Sequence, residues 1–187
     1  MNATSKTRVV RLSSALKLDE DETVHVGVDV HKASYHVAVL SNQRGFITHW
    51  TQPADPQVLL DRLKPIRKQI TQVVYEAGPT GFTLVRRLRA GGVHAEVIAP
   101  SKIPSVPGPE TKSDRLDCRK LATFAQKGLL QPVRVPTEPE EVDRQVVRLR
   151  EQLVRKLRTI QQQIKGFLMQ HGIAEPAGLA QWSKYRS

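Results

Sequence analysis

Four acidic residues are the side chains of this sequence best suited to chemistry: Asp29, Glu76, Asp114 and Asp117. Asp29 interrupts the alternating valines of VHVGVDVHK, where a buried carboxylate is costly unless it has a partner. Glu76 ends the apolar run TQVVYE, and the other two acids are three residues apart in SDRLDCRK. On a helix, that spacing places both carboxylates on one face.

Carboxylates that meet in space predict a divalent metal site. Four of them cannot all stay ionised without cations, and oxygen ligands suit Mg²⁺ or Mn²⁺. Two such ions can activate an attacking oxygen and stabilise a leaving oxygen during phosphodiester cleavage. Each acid also has a simpler explanation: Asp29 and Glu76 as strand ends, Asp114 as a helix cap, and Asp117 as a charge that favours the helix dipole. The metal site therefore depends on all four meeting in one fold.

Alternating apolar residues predict the strands that would position these acids. We expect three strands joined by short polar links as an antiparallel meander, followed by two more, at 24–30, 35–40, 46–51, 71–76 and 93–99. A helix over TLVRRLRA between the last two implies a parallel, right-handed crossover. Strands one and four are then neighbours, which brings Asp29 and Glu76 together. The expected fold class is α/β with a mixed five-stranded sheet.

Two further helices are predicted around this sheet. ADPQVLLDRLKPIRKQ should open near Asp55, and Pro65 should kink or end it. SDRLDCRKLATFAQKG should be capped by Ser113 or Asp114. This second helix would carry Asp114 and Asp117 across the two acids of the strands.

A long helix is predicted over residues 140–172. Its apolar residues are spaced 4, 3, 4, 4, 3, 4 and 4 apart, which forms one stripe: Val142, Val146, Leu149, Leu153, Leu157, Ile160, Ile164 and Leu168. The helix would extend about 50 Å. Such a stripe must pack on the domain or on another chain, and we expect a coiled coil that makes the protein a homo-oligomer.

The composition points to a nucleic acid partner. The net charge is +11 with a pI near 10.2, which favours a polyanion, although charge alone fits a merely basic protein equally well. Cys118 is the only cysteine, which fits a reducing compartment. No apolar stretch approaches the roughly 20 residues that span a bilayer, and the N-terminus lacks a signal-peptide core. We therefore expect a cytoplasmic protein with no membrane partner.

Basic residues around the acidic helix could hold phosphates beside the metals. The candidates for nucleic acid binding are Lys32, Lys102, Lys112, Arg115, Arg119 and Lys120. For Lys32 a solvated position is the simpler reading, and His31 is more often structural than a metal ligand. Because only 5% of the residues are aromatic, binding should be dominated by the backbone of the nucleic acid and sensitive to salt.

The sequence resembles the N-terminal part of DEDD-type insertion-sequence transposases, RuvC-like recombinases related to the Piv invertase. The similar segments cover about residues 24–175 and include GVDVHKASYHVAVL, VVYEAGPTGFTLVRRLRAGG and KSDRLDCRKLATFAQKG. The resemblance implies an RNase H-like fold and maps the family's acidic tetrad onto the four acids named above. It also implies Mg²⁺-dependent DNA strand cleavage and exchange, multimers, and a structured guide RNA that pairs with donor and target DNA.

The resemblance also predicts the domain organisation. We expect a flexible basic arm at 1–23, the RuvC-like catalytic domain at 24–137, a long dimerisation helix at 138–175, and the start of a linker at 176–187. Family members continue into a second domain that supplies a catalytic serine, so this chain is expected to be an excised fragment or a natural truncation. Cys118 stands where the family usually has alanine, a change that we expect to be tolerated.

Two alternatives remain open. In an actin-like or sugar-kinase-like ATPase, the first phosphate motif also places an aspartate in strand one, as GVDVHK does. A second glycine-rich phosphate loop is absent from the sequence, however, and the long terminal helix is unexpected there. The other alternative is a truncated, non-catalytic module that binds nucleic acid or a full-length relative and modulates it.

Overall fold

The computed structural model describes residues 18–104 and 114–176, and for residues 114–116 it describes only the course of the backbone. The chain divides into two compact units, with the boundary between Val135 and Pro136. The elements in chain order are β1 Val24–Val30, β2 Ser34–Ser41, β3 Gly45–Pro53, α1 Pro56–Leu63, β4 Ile70–Glu76, α2 Thr83–Ala90, β5 Ala95–Ile98, α3 Asp114–Gln126 and α4 Glu138–Gln170.

The five strands form one mixed sheet in the order β3-β2-β1-β4-β5. β1 pairs antiparallel with β2 and parallel with β4, β2 pairs antiparallel with β3, and β4 pairs parallel with β5. This arrangement confirms the predicted meander, the crossover and the adjacency of strands one and four. With the helices described next, the first unit has the RNase H-like fold, and the long α4 follows it in the second unit.

The alternation along β1 assigns its residues to two faces of the sheet. Val24, Val26 and Val28 are fully buried in the larger core, which also contains Leu59 of α1 and Leu88 of α2. The opposite face is covered by α3. There a smaller core joins Val74 of β4 and Ile98 of β5 to two α3 residues, Leu121 and Ala125. The sheet is therefore a middle layer between two layers of helices.

Local signals set the ends of α1 as the sequence predicts. The Asp55 carboxylate accepts the backbone N–H groups of Gln57 at 2.7 Å and Val58 at 3.4 Å, which caps the first turn. The helix ends at Leu63, and a 3₁₀ turn at Lys64–Ile66 contains Pro65. A proline inside the α-helix would remove a hydrogen bond, so the helix gives way there.

β5 is shorter than the predicted strand at 93–99. The Val93 N–H donates to the Leu88 carbonyl at 3.0 Å, so Val93 belongs to the closing turn of α2. Gly92 in that turn has a φ of 77°, a conformation that glycine adopts without steric cost. Pairing with β4 therefore begins only at Ala95.

Residues 18–23, assigned from the sequence to the arm, contact the sheet domain. Leu18 packs against the larger core. The Glu22 side chain is 2% exposed and accepts two hydrogen bonds from Arg44, from Nε at 2.7 Å and from Nη2 at 2.6 Å. This pair ties the segment before β1 to the link between β2 and β3. Residues 1–17 lie outside the described part.

The second unit is built on α4, which starts four residues before 142, the first residue of the apolar stripe. Thr137 and Glu140 form a capping box: the Glu140 carboxylate accepts the Thr137 N–H at 2.8 Å, and the Thr137 hydroxyl accepts the Glu140 N–H at 3.4 Å. No residue of α4 is buried, and its apolar side chains are largely exposed. Among the described helices, none combines the length and apolarity needed to cross a bilayer.

Candidate active site

Asp29 and Glu76 lie side by side on the α3 face of the sheet. Val28 of β1 is paired with Tyr75 of β4, and each acid is the next residue of its strand. Val28 and Tyr75 point into the larger core, so the acids that follow them point to the opposite face. Because β1 and β4 are parallel and central, both carboxylates come to the same edge of the sheet.

Gly27 allows α3 to lie against β1 beside these acids. A Cβ atom at position 27 would be 2.1 Å from the carbonyl oxygen of Cys118 and 2.6 Å from the backbone nitrogen of Ala122. Only a residue without a side chain permits this approach of helix and strand. The contact places the first half of α3, which includes Asp117, over the end of β1 that carries Asp29.

The pKa of Glu76 reports the proximity of three of the four acids. Partial desolvation of its carboxyl raises this pKa, and the negative charges of Asp29 and Asp117 raise it further. The side chain of Asp29 is 21% exposed, whereas Glu76 and Asp117 are exposed. β1, β4 and α3 thus bring three carboxylates into electrostatic contact at a place that a solute can reach.

The buried thiol of Cys118 lies within the same field. Burial raises its pKa to about 11, with further contributions from the charges of Asp29 and Asp117. The thiol therefore stays protonated near neutral pH and packs as a small apolar group. It carries no nucleophilic role here.

The potential metal ligands at this site are carboxylate oxygens, which are the ligand type that suits Mg²⁺ and Mn²⁺. The raised pKa of Glu76 reflects its partial desolvation and, in addition, the nearby negative charges of Asp29 and Asp117. Among the described residues, the structure contains no cluster of three or more His, Cys, Asp or Glu side chains close enough together to hold a metal ion. Asp114 begins α3, three residues before Asp117, and its side chain lies outside what the structure describes.

His31 contacts the candidate site directly. Its Nε2 donates to the Asp29 carboxylate at 3.0 Å. The His36 ring of β2 meets the His31 ring edge-on, with 5.3 Å between the ring centroids. The Nδ1 atom of His36 is 3.0 Å from the Thr51 hydroxyl of β3. Asp29 is thus held on the side of β2 by a hydrogen-bonding imidazole.

The basic candidates fall into three groups. Lys32 and Lys102 are exposed, and both follow strands that end at the carboxylate edge. Arg119 and Lys120 are half-buried on α3: the Arg119 guanidinium lies 3.9 Å from the ring centroid of Phe46, and the Lys120 ammonium 5.9 Å from that of Phe124. Lys112 lies outside the described residues, and for Arg115 only the backbone is described.

Sequence reasoning missed two contributors to the site. Gly27 interrupts a strand of valines, and a glycine inside a strand is a signal for close backbone approach that could have been used. His36 gave no such signal. It joins the site because the antiparallel register places it opposite Asp29, and that register is not readable from either strand alone.

Two curated relatives are similar to this chain along most of its length. It is 38% identical over 162 residues to "Putative transposase y4qE" of Sinorhizobium fredii, which covers 84% of the chain and 41% of the relative. It is 31% identical over 159 residues to the "Transposase for insertion sequence element IS1533" of Leptospira borgpetersenii, which covers 80% of the chain and 44% of the relative. The chain thus spans less than half the length of these relatives.

Among solved structures, the chain is similar to the Holliday junction complex of Thermus thermophilus RuvC, at 12% identity and a TM-score of 0.42, over 59% of this chain and 99% of that one. A comparison with models of protein families identifies the family of this chain. The DEDD_Tnp_IS110 model, described as "Transposase", matches residues 26–173, well over half of the sequence. The chain therefore belongs to the DEDD_Tnp_IS110 family of transposases.

Proposed function

We propose that the first unit cuts and exchanges DNA strands with Mg²⁺ or Mn²⁺ ions held by Asp29, Glu76, Asp117 and Asp114. The main supporting observation is that Asp29 and Glu76 follow the paired residues Val28 and Tyr75 on adjacent central strands. The raised pKa of Glu76, which reflects partial desolvation and the charges of Asp29 and Asp117, agrees with this placement. These acids come from three different elements that meet at one edge of the sheet. Asp114 is included because positions three apart on a helix share a face.

Each part of the site has a distinct role in this proposal. When bound, the ions supply Lewis acidity that activates an attacking oxygen and stabilises a leaving one. The hydrogen bond from His31 orients Asp29. The exposed Lys32 and Lys102 contact phosphates on either side of the carboxylates. Lys112, Arg115, Arg119 and Lys120 are included as phosphate contacts from the sequence pattern.

The proposal extends to the partners of the whole protein. The match covers less than half of each curated relative, so the complete reaction is assigned here to this domain acting with further protein. Sequence choice is assigned to a structured guide RNA, as the family resemblance implies, because the basic candidates would contact the nucleic acid backbone and few aromatic residues are available for base stacking. The reaction would take place in the cytoplasm, where Cys118 stays reduced.

Calorimetric titration with Mn²⁺ tests the metal site. The wild type should release binding heat, and the variant with Asp29→Asn and Glu76→Gln should lose it. A matched control carries Glu20→Gln and Asp21→Asn, which remove the same charge from two exposed acids before β1. Equal heats from the wild type and the site variant would overturn the proposal.

A second candidate function is a non-catalytic module that modulates a full-length relative. The observation in its favour is the apolar stripe of α4, which is exposed along the helix and offers a surface for another chain. A cleavage assay on a labelled DNA in Mn²⁺ separates the two functions. Product that depends on Asp29 supports the nuclease, whereas Mn²⁺ binding without any product supports the module.

A further inference from the structure

Four rings, two on β3, one on β2 and one directly after β1, lie on the side of the sheet that carries the carboxylates. We call Phe46, His49, His36 and His31 the ring row. The strand register assigns the face, since residues paired directly across antiparallel strands point the same way. His36 is paired with Asp29, and Phe46 is paired with Leu40, which is itself paired with His25 of β1.

His49 belongs to the same face by the same reasoning. It is paired with Ala38, and Ala38 is paired with Gly27, whose missing side chain faces α3. A register irregularity between Val39 and Leu40 of β2 leaves Ile47 as an extra residue on β3. Such bulges change which side chains face each side of a strand. Here Phe46 and His49 share a face although they are three residues apart.

The ring row consists of two contacting pairs, Phe46 with His49 and His36 with His31, on the sheet face that carries Asp29. At the outer end, the Arg119 guanidinium lies 3.9 Å from the Phe46 ring centroid, and 6.0 Å separates the centroids of Phe46 and His49. At the inner end, 5.3 Å separates the centroids of His36 and His31, and His31 Nε2 lies 3.0 Å from the Asp29 carboxylate. Thr51, which lies two residues after His49 on β3, bonds His36 at 3.0 Å.

Much of this row is open to solvent. Phe46 is 37% exposed, the His31 side chain is 44% exposed, and His49 is exposed. β3 is the last strand of the sheet on this side among the described residues. An arginine over a phenylalanine is a common cation–π pair and would by itself explain the outer end. It does not explain why the pair of His36 and His31 lies on the same face beside Asp29.

We propose that the ring row binds a single-stranded nucleic acid whose backbone passes toward Asp29. One base stacks on Phe46 in place of the Arg119 guanidinium, and a second base stacks on His49. Flat rings can stack only on unpaired bases, because the faces of bases in a duplex are already covered. Arg119 and the net charge of +11 favour a polyanion over a protein partner at this edge. This inference rests on the proposed function. It states where a substrate strand or a guide strand would lie as it approaches the candidate active site.

The test is fluorescence anisotropy with labelled oligonucleotides and the full chain, in EDTA so that divalent cations play no part. Unstructured 20-mers of DNA and of RNA are compared with a DNA duplex of the same length. The wild type should bind a single strand more tightly than the duplex. Tighter binding of DNA would indicate that the ring row holds a substrate strand, and tighter binding of RNA would indicate a guide strand.

Variants of Phe46 separate stacking from other effects. Phe46→Ala should weaken single-strand binding about fivefold or more, the usual effect of losing one stacked base, and Phe46→Trp should retain it. Phe46→Leu keeps the apolar volume but has no ring, so it should lose binding like alanine even if the alanine variant is unstable. Two controls should bind as the wild type: Thr48→Ala, on the opposite face of β3, and Lys64→Ala, which removes a cation next to α1.

The outcomes distinguish this inference from the proposed metal site. Phe46→Ala should keep the Mn²⁺ heat of the wild type, whereas the variant with Asp29→Asn and Glu76→Gln should lose that heat and still bind the oligonucleotide in EDTA. Equal affinities of Phe46→Leu and Phe46→Trp would overturn the inference and leave the metal site intact. Absence of single-strand binding by the wild type, or tighter binding of the duplex, would also overturn it.

Discussion

At the scale of single residues, the protonation of Glu76 links the candidate site to folding. Its pKa is raised above the ordinary 4.5 by desolvation and by the charges of Asp29 and Asp117. The folded protein therefore holds this proton more tightly than the unfolded chain. The resulting stabilisation is fully present below pH 4.5 and is lost as pH rises through the pKa of the folded state. A bound cation would remove the effect.

We expect an NMR titration of the Glu76 carboxyl carbon to give a pKa above 4.5 in the wild type. Asp29→Asn should lower this pKa, because one of the two neighbouring charges is gone, and saturating Mg²⁺ should lower it as well. Glu20→Gln, at an exposed position before β1, serves as the control and should change nothing. A Glu76 pKa that is unaffected by Asp29→Asn would show that the two carboxylates do not interact.

A second residue pair has the opposite pH dependence. Hydrogen bonds from Arg44 lower the pKa of Glu22 to about 2. The stabilisation from this pair is therefore present above the ordinary value of 4.5 and is lost as pH falls toward 2. We expect the urea midpoint of the wild type to drop between pH 6 and pH 3 by more than that of Glu22→Gln. Parallel curves for the two proteins would contradict the assignment.

At the scale of elements, the contact between β1 and α3 brings Asp117 to Asp29. A methyl group at position 27 would overlap the α3 backbone at 2.1 Å and 2.6 Å. Backbone atoms of a helix cannot turn away as a flexible side chain can, so the helix would have to shift as a whole. The geometry of the candidate site thus depends on one missing side chain in the strand.

We expect Gly27→Ala to lower the free energy of unfolding by about 2 kcal/mol or more, the upper part of the range for overpacked cores. The Glu76 pKa should also fall toward 4.5, because Asp117 moves away with α3. Chemical denaturation and the NMR titration measure the two effects. Gly78→Ala is the matched control, since its methyl group would meet only the Glu76 carbonyl oxygen, at 4.0 Å. It should leave stability nearly unchanged, and an equal loss in both variants would contradict the prediction.

At the scale of the whole molecule, the apolar stripe of α4 is typical of helices that pack against another surface. The spacing 4, 3, 4 occurs twice in succession from Val142 to Ile164, so the stripe repeats every 11 residues. A repeat of 11 residues gives straight or right-handed helix pairs, in contrast to the left-handed supercoil of a seven-residue repeat. Seven of the eight stripe side chains are exposed, with Leu153 for example at 57%, and Leu168 is half-buried. We propose that a second copy of the chain covers them.

We expect sedimentation equilibrium to show a dimer for the wild type and a monomer for Ile160→Asp, because a charge in the stripe would be buried between helices. Gln162→Asp adds the same charge two residues further on, about 200° around the helix, and should leave the dimer intact. A wild type that stays monomeric at high micromolar concentration in low salt would contradict the pairing.

The sequence alone determined the elements and the strand order, because both depend on local patterns. Alternating valines predict β1, Asp55 caps α1, Pro65 ends it, and the short links require a meander. The acidic residues of the candidate site were also predicted from the sequence, and their role stays a prediction. An aspartate in a run of valines is costly in a core, and this cost is visible without coordinates.

Only the tertiary structure decided how these elements meet. The approach of α3 to Gly27, the position of His36 opposite Asp29, and the bulge that turns Phe46 toward α3 all depend on contacts between residues far apart in the chain. Such contacts follow from the packing of complete surfaces, in which each residue's position depends on all its neighbours. A local pattern of residue types carries no measure of that fit.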